Sequence, residues 1–269
     1  MPGLSQQVSN MRIALGIEYD GTPFCGWQYQ EGVDTVQLNV EAALSQVADE
    51  PVRVICAGRT DTGVHAACQV VHFDTAAERS TRSWVFGANS NLPKSISVLW
   101  ARPVDEAFHA RFSAVRRQYR YVIFTRAVRP TYLAYRVTWE YRPLDERLMQ
   151  EAANYLLGEH DFSAYRAMAC QARHPVRTLY RLSVIRRGPL VFLDVEANGF
   201  LHHMVRNIAG VLMEIGAGER PPSWAREVLE MRDRTLGGVT APPHGLYLTG
   251  VKYPENYTFP ENLSPDPVC

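Results

Sequence analysis

Lysine is almost absent from this chain of 269 residues: of 28 basic side chains only Lys94 and Lys252 are lysines, and arginine supplies the rest. An equal number of acidic residues brings the net charge to zero, so no overall basic excess points to a polyanionic partner. Cysteine is scarce and odd in number. Cys25, Cys56, Cys68, Cys170 and Cys269 include no Cys-x-x-Cys pair, which argues against a disulfide framework and against a zinc knuckle and predicts free thiols, mostly buried. No apolar run approaches the roughly 18 residues of a membrane span, and Met1-Pro2-Gly3-Leu4-Ser5-Gln6-Gln7 has neither the basic nor the apolar region of a signal peptide. A soluble, cytoplasmic protein is expected. Nucleotide-binding fingerprints are missing too, since Gly216-Ala217-Gly218 ends a helical pattern instead of opening one after a strand and reads as a C-cap.

What is present is a 46% hydrophobic composition, enough for a substantial core in one large or two ordinary domains. The arginines crowd two stretches, Arg102 to Arg142 and Arg166 to Arg187, and in the first Tyr119, Tyr121, Phe124, Tyr132, Tyr135 and Trp139 interleave them. A guanidinium grips phosphate bidentately or stacks on a base, and aromatic faces do the second job as well. Singly, many of these arginines suit a solvated strand face. As a set they suit RNA, with Arg116 and Arg126 as candidate phosphate contacts.

Met11 to Tyr19 alternates as a strand, Thr35 caps a helix carrying Val36, Val40, Ala43, Leu44 and Val47 on one stripe, and Val52 to Cys56 and Val70 to Phe73 read as strands. A helix over Arg82 to Leu92 and a strand over Ser95 to Ala101 complete the order β-α-β-β-α-β, the split βαβ arrangement. The second half nearly repeats that order: a strand at Arg116 to Phe124, a helix at Leu144 to Leu157, a hairpin of Leu179 to Arg186 with Leu190 to Glu196, helices from about His203 to Ile215 and from Ser223 to Arg232, and a strand from Gly245 to Tyr253. The fold class expected is α+β: an N-terminal lobe over 11–113 and a C-terminal lobe over 114–253, with antiparallel sheets and a cleft between them. Residues 254–269 are expected to form a tail.

One polar loop stands out. Ala57-Gly58-Arg59-Thr60-Asp61-Thr62-Gly63-Val64-His65-Ala66 sets a carboxylate, Asp61, between two strand-like runs, where two glycines permit positive φ or close approach and Arg59 favours the ionised form. On spacing alone, Asp61 fits equally a nucleophile or base and an Asx turn bonding its own backbone. The decapeptide closely resembles the signature of the tRNA pseudouridine synthase A family. So do Tyr19-Asp20-Gly21-Thr22, Phe24, Gly26-Trp27-Gln28, Gln69-Val70-Val71-His72-Phe73, Tyr119-Arg120-Tyr121, His203-Met204-Val205-Arg206-Asn207-Ile208 and Gly245-Leu246-Tyr247-Leu248, in the family's order over about residues 11 to 253. Thr62 stands where many relatives carry Ala, and Gln118 where a basic residue is common; neither removes a catalytic group.

The resemblance implies two ferredoxin-like lobes, isomerisation of uridine to pseudouridine in the anticodon stem-loop of tRNA, and a homodimer whose RNA touches both subunits. It implies Asp61 as the catalytic residue, Arg206 as its partner with Arg59 in support, and Tyr119 stacking on the target base or covering the site. The isomerisation gains and loses no group and needs no cofactor. Metal is not expected either: adjacent His202 and His203 should point in different directions, without the i, i+4 spacing of a helical zinc pair. Two rivals remain at this level. One is an RNA-binding module without chemistry; the other is an N-glycosidase, which wants a second carboxylate to activate water, and Asp20 or Asp74 would be the candidates.

Overall fold

The computed structural model describes residues 10–170 and 172–260. The strand β1 (Met11–Tyr19) sends Ile13, Leu15, Ile17 and Tyr19 into the core by simple alternation. On its other face Gly16 admits the Trp100 indole so closely that a Cβ there would lie 2.1 Å from Nε1. The helix α1 (Val36–Ala48) starts where the Thr35 hydroxyl accepts the Leu38 N–H, and α2 (Thr81–Asn91) where Ser80 does the same for Ser83. Between them run β2 (Ile55–Cys56) and β3 (His65–Thr75), followed by β4 (Ile96–Val104). The strand read from Val52 shrinks to two paired residues, and the next begins five residues earlier than its apolar run at Val70. His65 and Ala66 extend β3 because they find a partner strand, one that lies far away in sequence.

The second half comprises β5 (Arg116–Thr125), β6 (Thr138–Glu140), α3 (Glu146–Asn154), β7 (Gly158–Asp161), β8 (Val176–Arg187), β9 (Leu190–Ala197), α4 (Met204–Gly216), α5 (Trp224–Met231) and β10 (Leu246–Lys252). The helix read over Leu144 to Leu157 is shorter because Asp145 caps it, its carboxylate accepting the Arg147 N–H at 2.8 Å. The strands β6 and β7 escape the sequence pattern. Three residues carry no period, and Gly-Glu-His-Asp on a sheet edge has no apolar face to repeat.

Strand order explains the whole. The first half pairs as β4-β1-β3-β2 and the second as β10-β5-β9-β8, each the ferredoxin-like order of a βαββαβ unit. These two α+β units merge edge to edge, because β10 lies antiparallel to β5 and also parallel to β3, through Tyr247 beside His65 and Leu248 beside Ala66. Since β2 occupies only Val71 and His72 along that edge of β3, the remainder is free to receive β10. The loop between β2 and β3 therefore emerges at the seam between halves. After β10 the chain crosses β4, where Phe259 stacks on Trp100 at 4.9 Å and the Tyr257 hydroxyl donates to Asp105. Residues 261–269, with Cys269, lie outside the described residues; the other four cysteines are free, with Cys56 and Cys68 buried.

Candidate active site

The loop carrying Asp61 is held along its length. Gln69 of β3, fully buried, donates to the Gly58 carbonyl at 2.6 Å and accepts the Gly58 N–H at 3.3 Å. Thr60 turns inward to share a 2.7 Å hydrogen bond with the Tyr19 hydroxyl, while its carbonyl accepts the Trp27 N–H. Past Asp61 the chain reverses: the Val64 N–H donates to the Asp61 carbonyl at 3.1 Å, with Gly63 at φ 77, the left-handed position of a type II turn. The backbone closes this turn by itself. The Asp61 side chain is consequently directed elsewhere and is not spent on an Asx turn.

Its partners come from the start of α4, in the other half. Arg206 donates from Nη1 to Oδ2 at 3.2 Å and from Nε to the Ala241 carbonyl at 2.8 Å, so the guanidinium is fixed at both ends. His203 Nε2 lies 3.3 Å from Oδ2 and His202 Nε2 lies 3.3 Å from Oδ1. The two imidazoles do not diverge as the sequence reading has it; their centroids are 4.0 Å apart. The reason is local. His203 precedes the helix in the left-handed conformation, φ 62 and ψ 4, and this break in regular backbone turns adjacent side chains to one side. Burial holds the His203 imidazole below its ordinary range, opposed by the nearby Asp61 charge and reinforced by Arg206.

Asp61, His202 and His203 bring potential ligand atoms within 4.8 Å of one another. Two positive features oppose a metal there: the Arg206 guanidinium on Oδ2 and the N-terminal end of α4. Tyr119, from β5, is buried and meets Phe200 edge to face at 5.0 Å. Burial first, and the Asp61 charge second, raise its phenol well above the usual tyrosine range, so it presents a neutral aromatic face.

The other candidates are distributed differently. Arg59 is exposed and forms no ion pair among the described residues; the guanidinium on Asp61 is that of Arg206. Arg116 pairs with Glu196 at 2.7 Å and lies over the Tyr180 ring, and Arg126 donates to the Val128 and Arg129 carbonyls. Asp20 is tied to Thr22 and Arg136, and Asp74 is gripped by Arg12 through both oxygens. Neither carboxylate is left to activate water beside Asp61. The sequence did not reveal the Asp61 contacts of His202 and His203, the Gln69 clamp, or Arg117, whose half-buried guanidinium donates to the carbonyls of Ala57 and Arg111 at the base of the loop. Gln69 and His203 fall inside the motif blocks, which is a signal of place but not of direction.

A family profile described as tRNA pseudouridine synthase matches residues 16–113 and 152–254. The tRNA pseudouridine synthase A of Nitrosococcus oceani is 60% identical over 255 residues, covering 95% of this chain and 98% of that one. Its namesake in Pseudomonas aeruginosa is 60% identical over 251 residues, 93% of this chain and 88% of the other, and that of Coxiella burnetii is 57% identical over 249 residues, 93% and 95%. Among solved structures, a Cbf5-Nop10-Gar1 complex aligns at 11% identity and a TM-score of 0.38, covering 88% of this chain and 48% of that one.

Proposed function

This chain belongs to the tRNA pseudouridine synthase family, and on that premise we propose that Asp61 is the carboxylate with which it isomerises uridine to pseudouridine, at sites in the anticodon stem-loop of tRNA. The reaction breaks the bond from N1 to the ribose, turns the uracil and rejoins it through C5. No atoms are exchanged with a co-substrate, so side chains that react, orient and exclude water meet its needs without a cofactor. Attack on the base, attack on the sugar and removal of a ribose proton all require an ionised carboxylate, aimed, with one oxygen accessible.

The observation that carries this reading is the pairing of Asp61 on the loop of one half with Arg206 on α4 of the other, at a carboxylate still one quarter exposed. Arg206 fixes the direction of the carboxylate, acting on the reaction through Asp61 as a positioning residue. Tyr119 and Phe200 supply an aromatic wall suited to a detached uracil. A uridine in a stem must leave its stack to reach Asp61, so the base is flipped while exposed arginines such as Arg59 hold the backbone.

No helix among the described residues is long and apolar enough to cross a membrane. The family resemblance supports a cytoplasmic homodimer, for which sedimentation should return twice the chain mass. The decisive test is Asp61→Asn. It keeps the size of the side chain and removes its charge, so folding and tRNA binding should survive while single-turnover pseudouridine formation disappears. Turnover near normal in that variant would refute the assignment.

A further inference from the structure

The two oxygens of Asp61 are not equivalent, and their difference assigns them separate tasks. Oδ2 accepts the Arg206 hydrogen bond and has His203 at 3.3 Å, whereas the contact of Oδ1 among the described residues is His202 alone. The holders differ in access. Arg206 is 13% exposed and His203 28%, while His202 is 44% exposed and stands on the open side. They differ in anchorage as well: Arg206 is tied to the Ala241 carbonyl, and the His203 carbonyl accepts the Asn207 N–H within the first turn of α4. His202 sits outside that helix, its carbonyl accepting the Ala167 N–H and its ring lying against that of His203, with centroids 4.0 Å apart.

Resting on the reading of Asp61 as the reactive carboxylate, we propose that Oδ1 is the oxygen that meets the flipped uridine, that His203 joins Arg206 as a positioning residue on Oδ2, and that His202 occupies the place of the incoming nucleoside until displaced. A carboxylate anchored by one oxygen keeps its plane fixed while the other stays available, which is the geometry all three possible first steps require. A substrate that must push His202 aside loses part of its binding energy to that exchange.

The test compares substitutions at the two histidines, with a tRNA transcript as substrate and the full chain as enzyme. At His203, glutamine keeps an N–H donor at about the reach of Nε2, whereas asparagine better tolerates the left-handed backbone but falls short of Asp61. His203→Ala should slow single turnover by about tenfold to a hundredfold with little change in tRNA affinity, and His203→Gln should recover more of the rate than His203→Asn. A backbone role alone would reverse that order, because asparagine suits φ 62 better. His202→Ala should tighten apparent substrate affinity by about two- to fivefold, as expected for loss of one weak competing contact. The proposal is overturned if asparagine outperforms glutamine at His203, or if His202→Ala slows single turnover as much as His203→Ala does. Activity surviving in Asp61→Asn would instead overturn the underlying reading, so the two failures are distinguishable.

Discussion

Arg206 spends one guanidinium on two tasks, Nε on the Ala241 carbonyl and Nη1 on Asp61, and this double use makes its shape as necessary as its charge. A lysine there brings the charge without the fork, so Arg206→Lys should share most of the defect of Arg206→Ala. Both variants should lower the single-turnover rate by about a hundredfold while tRNA affinity moves by less than about threefold. Tyr119 separates shape from hydrogen bonding. If its ring forms the wall of the site, Tyr119→Phe keeps most of the rate and Tyr119→Ala loses it. Equal losses of affinity in all of these variants, with the chemical step intact, would return Arg206 and Tyr119 to purely structural roles.

Elements decide which charges are available. On the open face of β5 and β9, Glu196 is nearly buried; burial by itself would raise its carboxyl, but Arg116, Gln118 and Lys252 outweigh that and pull it down to about 2. A carboxyl lowered in the folded state adds stability that is complete above its unfolded range and is lost as pH falls through the folded value. Glu196→Gln should therefore destabilise the protein at pH 7 by roughly 1–2 kcal/mol, less than the shift alone implies because Arg116 and Lys252 are about half exposed. The gap between the variants should close between about pH 4.5 and 2, as denaturant unfolding at several pH values will read directly. A gap that stays constant over that interval would show that the ion pairs contribute nothing to it. The elements with a period were legible: β1, α1, β5, the β8–β9 hairpin and α4 all emerge near their expected limits, because alternation and the 3.6-residue stripe are local properties. The short strands β2, β6 and β7 were misread or missed, since they exist by virtue of a neighbour's edge.

Over the whole molecule the equal numbers of acidic and basic residues hide an uneven distribution, and binding to tRNA should betray it. Affinity should fall steeply with salt, and each phosphate contact removed should lower the slope by about one unit. Arg59, exposed and without an ion pair among the described residues, should show this on replacement by glutamine, as should Arg126. Arg116, already engaged by Glu196, should change the slope less. An affinity indifferent to salt would contradict backbone recognition altogether. The sequence by itself determined the α+β class, the twofold βαββαβ order, the Asp61 loop and the family resemblance, because propensity, period and ordered motifs are written in neighbouring residues. Tertiary structure alone decided that β10 joins the halves through β3 and that His202 and His203 turn together toward the Asp61 carboxylate. Those facts depend on pairing across some 140 to 180 residues and on one left-handed backbone position, and neither leaves a periodic trace in the chain.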